Sequence, residues 1–430
     1  MLKNGALWSI TLLLAACGSG TSPAGGETAS ASALPGPTPD PDAFYAEPAN
    51  VPDTPGAVLN ARAITFQPAG VPLPNPAWQL QYVTHDGHDR PRAAIATVIA
   101  PLTPSVYGKP VLLAFQNAYD SLGSRCSPSH TALGDTSNST NMAEALEYLP
   151  AVQSLGWTVV VPDYEGPDQA FGAGPISGQA TLDALRAALA FSDLGLAADS
   201  PVALWGYSGG AYASTWAASL QPAYAPELNL VGVVSGGTPV DMFDIIRRNE
   251  NLDPFNFLFT LAIGIAREYP ELLPPDLLTA RGAAVVNTLR DACVGVPADG
   301  TSLPTAAMTD YVAAPDPYAT PGFLSVMPRV TLLNSALKPT ADIYLFHETH
   351  DDLVPVEGAD QLAAQWCAQG VALNYYHSLA ATPVGAAHSG TLDVHLAGAA
   401  LGTPAAIAYL NGRFAGLPLD VTPPGTVRCN

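Results

Sequence analysis

Residues 202–213 constrain what this chain can fold into more than any other stretch. Four apolar residues suited to a β-strand, VALW, lead into Gly206-Tyr207-Ser208-Gly209-Gly210, and a helical pattern follows as far as Leu220. Strand, G-x-S-x-G and helix in this order are typical of a sharp turn that holds a serine hydroxyl clear of a sheet. Glycine at 206 and 210 lets the strand and the helix pass closely. We predict that Ser208 is a nucleophile and that Gly209 offers its backbone N–H to a developing negative charge. The alternative is a glycine-rich turn with an incidental serine.

The length and charge of the chain limit its domain count and its partners. Its 430 residues suffice for one large domain with an insertion, or for two domains, and 48% of them are hydrophobic. The 16 Lys and Arg residues stand against 37 Asp and Glu residues, which gives a net charge of −21. This balance argues against nucleic acid or an anionic membrane surface as an electrostatic partner.

Residues 1–17 have the pattern of an export signal. Lys3 precedes an apolar run over 6–16, which is too short to span a bilayer. The run ends in Leu-Ala-Ala-Cys, which resembles a bacterial lipobox, so we expect Cys17 to be lipidated and the protein to be an envelope lipoprotein. An ordinary signal peptide and a secreted protein are the alternative. Residues 18–55, rich in Gly, Ser, Ala and Pro, predict a flexible linker.

Cysteine usage follows from export. Besides Cys17, the chain contains Cys126, Cys293, Cys367 and Cys429. In an oxidising compartment, two disulfides are expected rather than a metal site, and four cysteines leave three pairings open. No C-x-x-C or H-E-x-x-H spacing occurs, so no metal is predicted.

Buried strand patterns alternate with helical patterns along the rest of the chain, which predicts a parallel α/β sheet. Strands are expected near 111–115, 157–161, 202–205, 230–235, 341–347 and 371–376, and helices near 143–155, 182–191 and 396–414. Residues 80–84 and 94–100 suggest a hairpin with a turn at Asp86-Gly87. Residues 240–325 are mainly helical in pattern, which predicts a helical cap inserted into the fold.

A nucleophilic serine needs a base and an acid, and in this kind of fold the order along the chain is serine, acid, histidine. The strand ending at His347 leads into a loop with two candidate acids, Asp351 and Asp352. A carboxylate at the C-terminal end of a strand lies at the sheet edge where such sites form. His388, in a small-residue loop, is favoured as the base. His377 falls in a turn, and His395, inside or beside the last helix, is expected to pack or to face solvent.

Several short motifs together resemble a known family. They are YDS at 119–121, DYEG at 163–166, LDALRA at 182–187, GYSGG at 206–210, DDLVP at 351–355, GAAH at 385–388 and RF at 413–414. Over roughly 55–425 the chain is similar to the secretory lipases of the Candida antarctica lipase A type. The resemblance implies an α/β-hydrolase fold over 56–430, with a mainly parallel sheet and an inserted helical cap at about 239–325.

The same resemblance implies roles for individual residues. Ser208 would be the nucleophile, Asp351 the acid and His388 the base, with Asp120 beside Gly209 in the oxyanion hole. It also implies two disulfides: Cys126 with Cys293, tying the core to the cap, and Cys367 with Cys429, pinning the C-terminus.

The sequence therefore predicts a serine hydrolase that cleaves carboxylic esters, including lipids, through an acyl-enzyme without a metal or organic cofactor. The partner is an ester or lipid substrate, and a membrane is contacted only through an anchor at Cys17. Two alternatives stay open: a serine peptidase on the same fold, and a tethered binding protein without catalysis.

Overall fold

The structure, a computed structural model, describes residues 34–252, 255–378, 393–417 and 427–429. These residues contain ten strands: β1 (Val58–Thr65), β2 (Pro76–His85), β3 (Pro91–Ile99), β4 (Leu112–Gln116), β5 (Thr158–Pro162), β6 (Val202–Tyr207), β7 (Leu230–Gly236), β8 (Ile343–Glu348), β9 (Leu373–Ser378) and β10 (Val427–Cys429). They form one sheet with the order β1-β2-β3-β5-β4-β6-β7-β8-β9-β10.

The middle of the sheet is parallel and its edges are antiparallel. Parallel pairing runs from β5 through β4, β6, β7 and β8 to β9. β1, β2, β3 and β5 pair antiparallel, as do β9 and β10. Every residue of β4, β5 and β6 is buried, because helices cover both faces of these strands. This arrangement confirms the predicted α/β fold with a mainly parallel sheet.

Helices cover the two faces of the sheet and pack on it in two large apolar cores. They are α1 (Pro128–Ala132), α2 (Ser139–Ser154), α3 (Gly174–Ala190), α4 (Gly209–Tyr224), α5 (Met242–Arg248), α6 (Phe255–Glu268), α7 (Ala280–Leu289), α8 (Met308–Tyr311), α9 (Pro321–Val326), α10 (Val356–Ala368) and α11 (Asp393–Phe414). Along β4, Leu112 and Ala114 belong to the core that also contains residues of α3, α4 and α10, whereas Leu113 and Phe115 belong to the core that also contains residues of α2 and α11. The alternation follows from the two-residue period of a strand.

The chain between β7 and β8 is helical, and it carries α5 to α9. Its most apolar element is α6, on which Phe255, Phe259, Ile263 and Ile265 are fully buried. The rings of Phe255 and Phe259 lie 5.9 and 4.5 Å from that of Tyr311 in α8. One side of α6 therefore packs within this helical insertion, where the sequence analysis expected a cap.

Residues 34–55 differ from the expected linker. Leu34 and Phe44 are buried, and Thr38 donates hydrogen bonds from its backbone N–H and hydroxyl to the Asp291 carboxylate at 2.7 and 2.6 Å. Asp42 forms an ion pair with Arg62 of β1 at 2.7 Å. The segment from residue 34 is thus held against the rest of the described chain by long-range contacts between individual residues, which leave no periodic pattern in the sequence. The predicted export signal, Cys17 and residues 18–33 of the predicted linker lie outside the described residues.

Two disulfides join distant parts of the chain. Cys126 pairs with Cys293 across 167 residues, and Cys367 pairs with Cys429 across 62 residues. Both pairings confirm the prediction. The first connects the loop after β4 to the helical insertion, and the second connects α10 to β10. Among the helices that are described, none is long and apolar enough to cross a membrane.

Candidate active site

Ser208 lies at the turn between β6 and α4 in a strained backbone conformation. Its φ of 52° and ψ of −123° are rare for a residue with a side chain, and such strain persists where the surrounding structure enforces it. Here the Ser208 N–H donates to the Gly236 carbonyl of β7 at 2.9 Å. A Cβ on Gly206 would collide with the Gly210 backbone, and one on Gly210 would collide with the Gln116 carbonyl. The glycines are therefore required by close backbone contacts, as the G-x-S-x-G motif predicted.

A histidine and an aspartate complete a hydrogen-bonded chain with this serine. His395 Nε2 lies 2.8 Å from Ser208 Oγ, and His395 Nδ1 lies 2.7 Å from Asp351 Oδ2. Because a carboxylate can only accept, Nδ1 carries the proton and Nε2 is left to accept from the serine hydroxyl. The three groups have the connectivity of a serine–histidine–acid triad.

The carboxylate of Asp351 is held by the loop after β8. Its Oδ1 accepts hydrogen bonds from the N–H groups of Leu353 and Val354 at 2.9 and 2.8 Å. Burial raises the pKa of Asp351, but the charge of His395 and hydrogen bonds from His347 and His395 outweigh burial and hold that pKa well below its usual range. Asp351 is therefore ionised at neutral pH.

His395 is fixed by its backbone as well as by its ring. Its N–H donates to Asp352 Oδ1 at 3.1 Å, and its carbonyl accepts from the Tyr207 hydroxyl at 2.6 Å. Asp352, the other candidate acid, thus contacts the backbone of His395, whereas Asp351 contacts the ring. Burial lowers the pKa of His395, but the charge and hydrogen bond of Asp351 raise it more, so the net shift is upward.

His395 takes the place that the sequence analysis gave to His388, and this is a correction. His388 lies outside the described residues. The sequence predicts that His395 packs in a helix or faces solvent, but α11 begins at Asp393, so His395 lies in its first turn, where its ring reaches Ser208 and Asp351. The sequence contains one sign that His395 is functional: it is the sole ionisable residue between Asp393 and Tyr409.

Asp120 and Gly209 line the same cavity as Ser208. A Cβ on Gly209 would overlap the Asp120 carboxylate, so the two residues are in close contact. Asp120 has a φ of 40°, and it follows β4, the strand beside β6. Burial raises the pKa of Asp120 to about 7, although the charge of His395 opposes the rise. The structure thus brings both residues expected in the oxyanion hole to Ser208.

Comparison with known proteins agrees with this geometry. The family model for secretory lipases matches residues 135–420, which include Ser208, Asp351 and His395. The chain belongs to the secretory lipase family. A secreted triacylglycerol lipase of Malassezia furfur is 33% identical over 351 residues, which cover 79% of this chain and 74% of that protein. Candida antarctica lipase A, in a crystal structure of its closed state, has a TM-score of 0.78 and 27% identity, with 91% of this chain and 89% of that chain covered.

One relative bears a different description. A Mycobacterium tuberculosis protein described as a probable inactive lipase is 32% identical over 390 residues, which cover 89% of this chain and 83% of that protein. Family membership makes this secretory lipase a carboxylic ester hydrolase with an α/β-hydrolase fold. The arrangement of the residues around Ser208 bears on how it hydrolyses an ester.

The remaining wall of the secretory lipase's cavity is apolar. It is contributed by the loop before α3, by α4, by the helical insertion and by the loop after β8, through Phe171, Tyr212, Pro239, Met242, Ile245, Phe257, Leu258, Leu261, Leu353 and Val354. Phe257, Leu258 and Leu261 of α6 are spaced so that they share one face of the helix. The opposite face is the one that packs on Tyr311.

His377, which the sequence places in a turn, lies in β9 instead. Its Nε2 lies 2.7 Å from Asp360 Oδ1. In the described part of the chain, no group of His, Cys, Asp and Glu side chains is arranged to hold a metal ion.

Proposed function

We propose that this secretory lipase hydrolyses carboxylic esters, including lipid esters, through an acyl-enzyme on Ser208. The single observation that carries the proposal is the continuous chain from Ser208 Oγ to His395 Nε2 and from His395 Nδ1 to Asp351. A serine hydroxyl is a weak nucleophile until a neighbouring base accepts its proton.

The proposed steps use only these groups. His395 Nε2 takes the proton of Ser208 as Oγ attacks the ester carbonyl, and Asp351 stabilises the imidazolium that forms. Backbone N–H groups of Asp120 and Gly209 stabilise the oxyanion. The tetrahedral intermediate expels the alcohol, which takes the proton from His395, and the acyl group stays on Ser208. Water then attacks with His395 as base, and the carboxylic acid leaves.

The test uses Ser208→Ala. Turnover of a p-nitrophenyl ester should fall by at least about 10³-fold, because triad members act as a unit. A fluorophosphonate should add one mass increment to the wild type at Ser208 and none to the variant. Substantial turnover by a folded Ser208→Ala variant would refute the proposal. A wild-type protein that is neither labelled nor active would also refute it, and would resemble the relative described as a probable inactive lipase.

A substrate comparison with the wild-type enzyme distinguishes esterase from peptidase activity. Matched ester and amide substrates with one acyl group should show hydrolysis of the ester and little of the amide. The apolar cavity supports an acyl chain as the group bound beside Ser208. Preference for the amide would favour the peptidase reading.

For residues 1–17 we propose an export signal that ends in lipidation of Cys17. The support is the Lys3 and apolar run followed by Leu-Ala-Ala-Cys. Mass spectrometry of the protein from a bacterial host should find an N-terminal Cys17 carrying acyl chains, and Cys17→Ser should release it from the membrane fraction. An unmodified N-terminus downstream of Cys17 would refute the anchor and indicate secretion.

A further inference from the structure

The loop that carries Asp120, residues 117–122, has to be held in place, and it is called the oxyanion loop below. Asp120 adopts a left-handed backbone conformation with a φ of 40°. A residue with a side chain keeps such a conformation only where its neighbours enforce it. The direction of the Asp120 N–H, which the proposed mechanism needs, therefore depends on what holds the residues before it.

Glu144 of α2 binds the first two residues of the oxyanion loop. Its Oε2 accepts a hydrogen bond from Asn117 Nδ2 at 2.7 Å and another from the Ala118 N–H at 3.0 Å. Burial raises the pKa of Glu144 to about 8, so at neutral pH its carboxyl is largely neutral and its Oε2 accepts these two hydrogen bonds as an uncharged group. Glu144 thus holds a backbone N–H two residues before Asp120.

Other contacts hold different groups of the loop. The Tyr164 hydroxyl donates to the Asn117 carbonyl at 2.7 Å, and Asn138 Nδ2 donates to the Tyr119 carbonyl at 2.9 Å. These partners bind carbonyl oxygens, whereas Glu144 binds the N–H of Ala118. Loss of Glu144 would leave that N–H free to rotate away.

We infer that Glu144 is a positioning residue for the oxyanion hole, which orients the peptide chain leading into Asp120 through Asn117 and Ala118. The inference rests on the proposed hydrolysis at Ser208. Glu144 is outside the lining of the Ser208 cavity, so it acts through the loop and not on the substrate.

A positioning role has a kinetic signature. The negative charge on the carbonyl oxygen exists in the transition state and not in the bound ester, so a displaced oxyanion donor lowers kcat and leaves KM unchanged. A residue that merely supported the fold would lower the unfolding midpoint without this split.

The experiment compares Glu144→Ala, Glu144→Gln and the matched control Glu147→Ala. Glu147 lies three residues later on the same helix and is exposed to solvent. For Glu144→Ala, kcat for a soluble p-nitrophenyl ester should fall by about 10²-fold, the typical loss for one oxyanion donor, with KM nearly unchanged. Glu144→Gln keeps an oxygen that can accept from Ala118 and should recover most of kcat. Glu147→Ala should match the wild type.

An alkylboronic acid gives a second readout, because its tetrahedral adduct with Ser208 places an oxygen in the oxyanion hole. Its inhibition constant should rise in proportion to the loss of kcat in Glu144→Ala. If that variant does not fold, Asn117→Ala, which removes one of the two donors to Glu144, serves in its place. Wild-type kcat in a folded variant, or a loss confined to KM, would overturn the inference. Failure of the proposed function would appear separately, as Ser208→Ala activity equal to wild type.

Discussion

At the scale of single residues, His395 is the side chain whose assignment decides the chemistry. It contacts both Ser208 and Asp351. His395→Ala should lower kcat by at least about 10³-fold, because the base acts as a unit with the other two groups. His388→Ala should stay close to wild type. Saturating p-nitrophenyl ester kinetics, with circular dichroism as the folding control, measure both variants, and an equal or larger loss in His388→Ala would contradict this assignment.

The pH dependence of kcat tests Asp120, whose pKa burial raises to about 7. Below this pKa the carboxyl is neutral; above it, a negative charge stands beside the place where the oxyanion forms. We therefore expect kcat to fall as the pH rises through about 7. The amide of Asp120→Asn does not ionise, so this fall should be absent from the variant.

The acidic limb of the same profile belongs to His395, which has to be neutral to act as a base. Its pKa is raised, most of all by Asp351 and in part by the charge of Asp120. Removal of the Asp120 charge should therefore move the acidic limb to lower pH. A wild-type kcat that keeps rising above neutral pH, or an identical fall in both enzymes, would contradict the role given to Asp120.

At the scale of elements, α6 presents one face to the cavity and the other to the helical insertion. Phe257, Leu258 and Leu261 line the cavity, whereas Phe259 packs 4.5 Å from the ring of Tyr311. Since each buried methylene contributes about 0.8 kcal/mol, kcat/KM should rise from acetate to medium-chain esters by up to about fourfold per methylene until the cavity is full.

Phe257→Ser should flatten this rise, because it places a hydroxyl in the apolar wall. Phe259→Leu is the matched control on the same helix: it should lower the free energy of unfolding and keep the chain-length profile. A series of p-nitrophenyl esters of increasing length gives the profile for all three proteins. A wild-type preference for acetate would refute an acyl-binding wall, and an unchanged profile in Phe257→Ser would assign that side chain to the core alone.

The sequence allowed the elements to be predicted where burial leaves a periodic pattern. The central strands and the G-x-S-x-G turn were found, because a strand buried on both faces is a run of apolar residues and a tight turn needs glycine. The hairpin at Asp86-Gly87 was also found, as β2 and β3 flank that turn. The catalytic base was not predicted correctly, because the position of α11 relative to the sheet edge determines which histidine reaches Ser208. Likewise, the packing of residues 34–55 depends on pairs such as Thr38 with Asp291, which no local pattern encodes.

At the scale of the whole molecule, the two disulfides close loops of 167 and 62 residues. The first contacts residues that support the oxyanion loop. Cys126 belongs to the support of the oxyanion loop: its carbonyl accepts from Asn138 Nδ2 at 3.2 Å, and Asn138 also binds the Tyr119 carbonyl. Beside its partner, the Val294 N–H donates to Ser121 Oγ at 3.2 Å. Cys367 and Cys429 join α10 to β10, at the edge of the sheet beyond β9.

Removal of either disulfide should destabilise the fold, whereas only removal of the Cys126–Cys293 disulfide should also lower kcat. Replacing both cysteines of a pair by serine is expected to cost about 2–4 kcal/mol of unfolding free energy, because the unfolded chain regains the freedom that the closed loop had restricted. For the pair Cys126 and Cys293, kcat should also fall, since the oxyanion loop loses part of its support. For Cys367 and Cys429, kcat at a temperature where the variant is folded should equal that of the wild type. Denaturant unfolding and ester kinetics on the two double variants measure both effects, and equal losses of kcat would show that the disulfides act on the site through global stability alone.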